Sequence, residues 1–241
     1  MTNWILTGLN ACYNVSKRAL SFGLNSILNT LPTQVNLNRW YPVVSDTCKR
    51  CGIERQTLGH ILCYCSLENM ESEDPRNRVT WRHNSILKML SHHLLVESSE
   101  LPIRYIDLAN NPDYYESFPE HILPGGTTLR PDLILEYDEE IILIELTSCM
   151  NNRINYWHTL KTQKYTRLTN DISLIKKCSL FAIEVSAVGL VSASTETLLS
   201  HLKMPKHIKK RIKSSLSQTA LECSKEIFSY RNRTEWPHSN L

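Results

Sequence analysis

Two small groups of side chains carry the chemistry open to this sequence: a pair of acidic residues and a set of metal-seeking ones. Asp132 follows Arg130-Pro131 at the head of a short apolar run, and Glu145 stands near the end of the next. The runs, 132–137 and 141–147, are rich in β-branched and aliphatic residues, and Asp138-Glu139-Glu140 between them has hairpin character. A two-residue turn at Asp138-Glu139 pairs residues whose numbers sum to 277. Asp132 then faces Glu145 across an antiparallel ladder, with Cβ atoms about 5 Å apart; a three-residue turn moves the pair to a diagonal, still within reach of one shared ion. Opposed carboxylates on apolar strands repel each other, and a hard divalent cation, Mg²⁺ or Mn²⁺, removes that cost. If one carboxylate points to solvent, or Asp132 merely opens its strand, no such site forms. Downstream, Trp157, Lys161, Lys164, Tyr165 and Leu168 recur on one helical face. A lysine beside two metal-binding carboxylates could position the attacking water or stabilise charge on a phosphorane. Lysines packed only along their stems are the plainer alternative.

The second group is Cys48-x2-Cys51-x8-His60-x4-Cys65. Two cysteines a tight turn apart, then a histidine and a cysteine about one helical turn apart, can close a tetrahedron around Zn²⁺ with no open position, a structural site. Gly52 suits the tight turn. Cys63 competes with Cys65 for the fourth place; Cys65 is preferred, because Cys63 lies in the packing run Ile61-Leu62-Cys63. Cys12, Cys149, Cys178 and Cys223 are scattered and read as small buried apolar residues. Lys49 and Arg50, between zinc ligands, are candidate nucleic-acid contacts. So are Lys206, Lys209, Lys210, Arg211 and Lys213, which with Lys203 crowd the start of the last helix. Cations there oppose the helix dipole unless an anion binds. A nuclear-import signal or a solvated face would use the same residues. Arg82 and Arg130 are further phosphate candidates.

The elements that must position these residues follow from periodicity. Leu20, Leu24, Ile27 and Leu28 give a helix that Pro32 stops, with an apolar face lacking an obvious partner. Residues 81–95 form a helix with Ile86, Leu90, His93 and Leu94 on one face. Residues 103–108 form a strand, the two carboxylate runs a hairpin, 155–169 a helix and 180–186 a buried strand. Ser194 caps a helix reaching about Lys203, and a long amphipathic helix follows Pro205. Pro124-Gly125-Gly126 reads as a flexible lead and Asp74-Pro75 as a break. The order helix, three strands, helix, strand makes a mixed α/β domain. The segments expected are a helical linker (1–45), a zinc knuckle (46–66) and the main domain (76–241). The 241 residues carry a net charge of only +3, so a basic surface must come from patterning. No run is long and apolar enough to span a bilayer, and the amino terminus lacks signal-peptide character. An intracellular, reducing location is expected, with no membrane partner.

Taken together, these residues resemble a known assembly. Leu31-Pro32-Thr33, Asn36-Leu37-Asn38-Arg39-Trp40, Cys48-Lys49-Arg50-Cys51-Gly52, Glu54, Thr57-Leu58-Gly59-His60-Ile61-Leu62, Cys65 and Arg82-His83-Asn84 follow one another as in one family. It is the carboxy-terminal region of site-specific, ribosomal-DNA-type non-LTR retrotransposon polyproteins. There a reverse transcriptase precedes a linker, a CCHC knuckle and a restriction-enzyme-like endonuclease. The resemblance implies a PD-(D/E)xK core that nicks target DNA in the nucleus, with structural zinc and catalytic magnesium or manganese. It implies Asp132 and Glu145 as the acidic pair, Lys161 as a catalytic lysine displaced onto the helix, and Lys164-Tyr165 as the dipeptide after it. Thr147 stands where ordinary restriction enzymes place that lysine. Glu145 replaces the commoner Asp, and Ser66 replaces a usual proline. The expected partners are DNA, RNA through the knuckle, and a reverse transcriptase supplied separately. The alternatives left open are a catalytically silent binding module and a truncated relic.

Overall fold

The computed structural model describes residues 15–65, 77–97, 102–108, 122, 128–233 and 235–237. Cys12, Ser66, Asp74-Pro75 and Pro124-Gly125-Gly126 lie outside them. The described helices are α1 (Lys17–Ile27), α2 (Gln34–Trp40), α3 (Arg78–Glu97), α4 (Ile154–Ser173), α5 (Ala193–His201) and α6 (Lys206–Ser229). The strands are β1 (Ile103–Ile106), β2 (Leu133–Glu136), β3 (Glu140–Cys149) and β4 (Lys177–Ser186). They form one sheet in the order β1-β2-β3-β4, with the first two pairings antiparallel and the last parallel. This is the mixed α/β order expected. The strands of the hairpin differ in length from the expectation: β2 is shorter, and β3 runs on to Cys149 because β4 pairs with it throughout.

β3 is central, and its residues 141–146 are all buried. A strand covered on both faces reads as a continuous apolar run rather than an alternation. Its alternate residues enter two different cores. Ile142, Ile144 and Leu146 join Leu133 and Leu135 against Ile86, Leu90 and Leu94 of α3 and Ile212 and Leu216 of α6. Ile141 and Leu143 join Ile134 against Tyr165, Leu168 and Ile172 of α4. A register shift between Ile103 and Tyr105 lets Ile103 and Ile106 face one core while Tyr105 faces the other.

A third cluster joins the amino-terminal elements to the carboxy-terminal end of α6: Phe22, Ile61, Leu62, Leu221, Ile227, Phe228 and Trp236 pack together. Here the apolar face expected for α1 is corrected. Ala19, Phe22 and Gly23 are buried, while Leu24, Ile27 and Leu28 are 45%, 72% and 68% exposed. The approach to α6 explains the choice, since a Cβ on Gly23 would lie 3.1 Å from Leu221 Cδ2 and would have to push that side chain back. The cap of α5 is also corrected: Ser192, not Ser194, is its N-cap residue.

Gly189 turns the chain between β4 and α5 at φ 84°. A Cβ there would sit 2.8 Å from Leu221 Cγ and 2.9 Å from Ser217 Oγ, which itself donates to the Gly189 carbonyl. Gly189→Ala should lower the unfolding free energy by about 1–3 kcal/mol, with an unchanged urea m-value. A midpoint equal to that of the unmodified chain would show that the turn is not under this constraint.

Candidate active site and zinc knuckle

The hairpin register places the acidic pair. Leu133↔Ile144 and Glu136↔Ile141 both sum to 277, so the next pair outward is Asp132 and Glu145. Both side chains are nearly sealed, at 8% and 2% residue exposure. Leu146 N donates to Asp132 Oδ2 at 2.6 Å, fixing that carboxylate against β3. Burial and the neighbouring Asp132 charge raise the Glu145 pKa; Lys161 and Tyr165 oppose that rise without cancelling it.

α4 then lays two side chains beside Glu145. Lys161 Nζ pairs with Glu145 Oε1. Tyr165, wholly buried, donates its hydroxyl to Arg130 O at 2.7 Å, holding the residue before Pro131. Burial and the charge of Glu145 push its pKa up, so the hydroxyl stays a donor. Lys164 differs from the inward stripe expected of it: it is exposed, with Nζ 3.4 Å from the Tyr165 hydroxyl and 4.9 Å from its ring centre.

A residue that neither spacing nor periodicity marks completes the arrangement. His83 of α3 places Nε2 3.4 Å from Asp132 Oδ2 and 3.2 Å from Leu146 O, and Nδ1 3.1 Å from Asn84 Oδ1. Burial disfavours its charge, but the Asp132 carboxylate and these hydrogen bonds outweigh that and raise the pKa to about 9. At neutral pH an imidazolium therefore faces the acidic pair. The donors divide between two places. Glu145 Oε2 is buried without a hydrogen-bond partner, while Asp132 Oδ2 and the Leu146 carbonyl converge on His83 Nε2. Carboxylate and carbonyl oxygens are ligands that Mn²⁺ or Mg²⁺ accepts, but among the described residues only the knuckle brings three or more Cys, His, Asp or Glu ligand atoms within 4.8 Å of one another.

The basic residues divide. Arg82 is wholly buried and donates to Ser148 Oγ, Ser224 Oγ and Cys63 Sγ at 2.9, 3.2 and 3.4 Å, so it ties α3 to β3 and α6 and cannot reach a phosphate. Arg130 and Lys49 are exposed and Arg50 half-buried. On α6, Lys206, Lys210 and Arg211 are exposed. Lys209 and Lys213 both pair with Glu196 of α5, at 2.6 and 2.5 Å. Glu196 thus neutralises part of a charge run that sequence alone leaves uncompensated.

In the knuckle, Cys48 Sγ, Cys51 Sγ, Cys65 Sγ and a His60 nitrogen all lie within 4.8 Å of one another. Gly52 at φ 68° closes the first turn, donating to Cys48 O at 2.8 Å. A π-helical turn, His60–Tyr64, spaces the second pair, and Thr57 Oγ1 accepts from His60 N at 3.0 Å. Glu54 Oε2 holds His60 Nδ1 at 2.8 Å, so Nε2 faces Cys51 Sγ at 3.5 Å. A carboxylate on the far nitrogen is how metal-binding histidines are oriented. Gln56 donates to Cys48 Sγ at 3.6 Å and ties the knuckle to Gln34 and Asn232. Cys63 lies outside the group, beside Arg82, its thiol pKa raised by burial. Of the scattered cysteines, Cys149 and Cys223 are buried and Cys178 half-buried.

No family model matches the chain, and no curated protein matches it. Among solved structures, a toscana virus cap-snatching endonuclease is similar at 23% identity and TM-score 0.31, over 42% of this chain and 46% of that one. A Phenuiviridae cap-snatching endonuclease is similar at 17% identity and TM-score 0.31, over 60% of this chain and 65% of that one. This chain thus spans less than two thirds of either. No helix among the described residues is long and apolar enough to cross a membrane.

Cys65→Ser should remove the bound zinc measured by metal analysis, while Cys63→Ser keeps about one equivalent per chain; the reverse result would exchange the ligands. In chelator, His83 contributes stability that is complete below its unfolded pKa of about 6.5 and fades as pH rises through about 9. The stability difference between the unmodified chain and His83→Gln should therefore shrink across that window in urea titrations. A difference independent of pH would show that the imidazolium does not pair with Asp132.

Proposed function

We propose that this chain is a metal-dependent nuclease that hydrolyses phosphodiester bonds, nicking DNA, within a retrotransposon-derived protein. The observation carrying this reading is the buried Oε2 of Glu145, left without a hydrogen bond on a carboxylate that pairs with Lys161 and stands opposite Asp132, which His83 faces in turn. A buried carboxylate oxygen without a partner costs stability, and proteins keep such groups where function needs them. Asp132 and Glu145 would hold Mg²⁺ or Mn²⁺, with the Leu146 carbonyl and the His83 ring beside Asp132. Such an ion polarises a phosphoryl oxygen and makes hydroxide available near neutral pH.

The chain's own groups do the rest. His83 keeps its Nδ1 proton on Asn84 and turns Nε2 toward the acidic pair. Lys161, anchored on Glu145, brings an ammonium to the edge of the site, where it orients a water and offsets negative charge growing on the phosphoryl oxygens. Tyr165 fixes the Arg130 carbonyl and so the approach of Asp132. Exposed Lys164 and Arg130 supply phosphate contacts beside it. Lys206, Lys210 and Arg211, with Lys49 and Arg50 on the knuckle, would extend a sequence-blind grip on DNA or, at the knuckle, RNA. The retrotransposon context, a nuclear location and a reverse transcriptase as partner rest on the resemblance in the knuckle and the Arg82-His83-Asn84 segment.

Supercoiled plasmid incubated with Mg²⁺ or Mn²⁺ tests the reading. Asp132→Ala and Lys161→Ala should lower the nicking rate by about 10²–10³-fold, and His83→Ala by about 10–100-fold, with zinc content and far-UV dichroism unchanged. Plasmid binding without nicking in the unmodified chain would leave the silent binding module in its place.

A further inference from the structure

A second buried carboxylate lies one strand away from the acidic pair, at the base of a groove of about 600 Å³ between α4, β4 and α5. Glu184 is 1% exposed, and the walls around it include Ile154, His158, Leu180, Ala182 and Ser194. In the β3–β4 ladder Ala182 is opposite Glu145 and Glu184 opposite Thr147, so the groove adjoins the proposed site on the same face of the sheet. One strand spacing, about 4.8 Å, separates the two rows.

Glu184 Oε1 lies 2.9 Å from Nδ1 of His158, whose side chain is 46% exposed on the rim, and Oε2 accepts from Ser194 Oγ at 3.0 Å. Each carboxylate oxygen has a further lone pair. The same segment is already tied by backbone bonds, with Ser192 N donating to Glu184 O and Glu184 N to Ser192 Oγ, so anchoring α5 does not require the carboxylate. A charged acceptor under walls that mix apolar Leu180 and Phe181 with polar Asn155 and Thr162 repels phosphate and suits a flat ligand with N–H donors on one edge. Among the four bases, guanine alone presents two adjacent donors, N1–H and the 2-amino group. Adenine and cytosine offer one amine beside a ring acceptor, and uracil or thymine one N–H between two carbonyls.

We propose that this groove receives a guanine base, read by Glu184 and flanked by His158, of a substrate strand whose phosphate lies toward Lys161. The placement on the substrate rests on the nuclease reading above; the binding of the base does not. In a duplex that edge of guanine is paired, so the strand entering the site is unpaired at this nucleotide.

Guanosine, inosine and adenosine titrated into the full chain, followed by NMR or calorimetry, test it without any cleavage. Guanosine should bind about tenfold more tightly than inosine, which lacks the 2-amino group, or adenosine. Glu184→Gln should reduce guanosine to the adenosine level. Thr197→Trp, at an exposed rim position, should fill the groove and weaken binding without touching the carboxylate, which settles the matter if Glu184→Gln unfolds. Asp132→Ala should leave nucleoside binding unchanged. Equal affinities for the three nucleosides, or guanosine binding that survives both groove variants, would overturn the proposal. Preferential guanosine binding by a chain that cleaves no nucleic acid would keep the groove and discard the nuclease.

Discussion

The arrangement depends on keeping two buried carboxylates on adjacent strands when each disfavours the other's charge. In water their repulsion would be mild; at the sealed end of β2 and β3 it is not, and burial raises the Glu145 pKa further. The surrounding structure meets that cost with cationic groups from two directions. Lys161 arrives from α4 on one side of the sheet and His83 from α3 on the other. Each helix is held by its own core: α3 by Ile86, Leu90 and Leu94, α4 by Tyr165, Leu168 and Ile172. The two hydrophobic layers thus act as the jig for one electrostatic cluster.

The same logic explains where the other buried charges went. Arg78 and Arg82 are both on α3 and both nearly inaccessible. Neither is a nucleic-acid contact. Arg78 donates to the carbonyls of Tyr230 and Arg233 at 2.8 and 2.6 Å and lies 5.0 Å from the Trp236 ring centre, and Arg82 spans β3, α6 and the knuckle's Cys63. A guanidinium with five donors can satisfy several chain ends at once, which an apolar side chain of equal size cannot. These two residues fasten α3, and with it His83, to the rest of the molecule.

How much of this could be read from sequence depends on how local each signal is. The hairpin register was legible because a two-residue turn and a period of two leave one pairing, and 277 is the sum found. The knuckle ligands were legible because four residues of the right chemistry fall within one short stretch, and the choice of Cys65 over Cys63 agrees with the geometry. The stripe on α4 was partly legible: Tyr165 and Leu168 face inward, but Lys164 does not. What failed was non-local. His83 lies 49 residues before Asp132 and carries no periodic mark of its role. Arg82, its neighbour, looked like a surface cation because burial of an arginine is decided by partners elsewhere in the chain. The inward face of α1 was mistaken for the same reason, since a small residue, Gly23, rather than the larger Leu24 and Ile27, decides which side can approach α6.

The basic start of α6 shows how such misreadings bear on function. Six cations in eleven residues suggest a phosphate-binding face, yet a single carboxylate on α5 takes up Lys209 and Lys213. The exposed remainder, Lys203, Lys206, Lys210 and Arg211, is a weaker field than the sequence implies. Lys209 and Lys213 also bind α5 to α6 through Glu196, and α5 is one wall of the groove above Glu184. Charges that seemed to belong to a nucleic-acid surface therefore hold the helix whose position sets the width of that groove. Their removal would alter the groove's shape before it altered any contact with a phosphate.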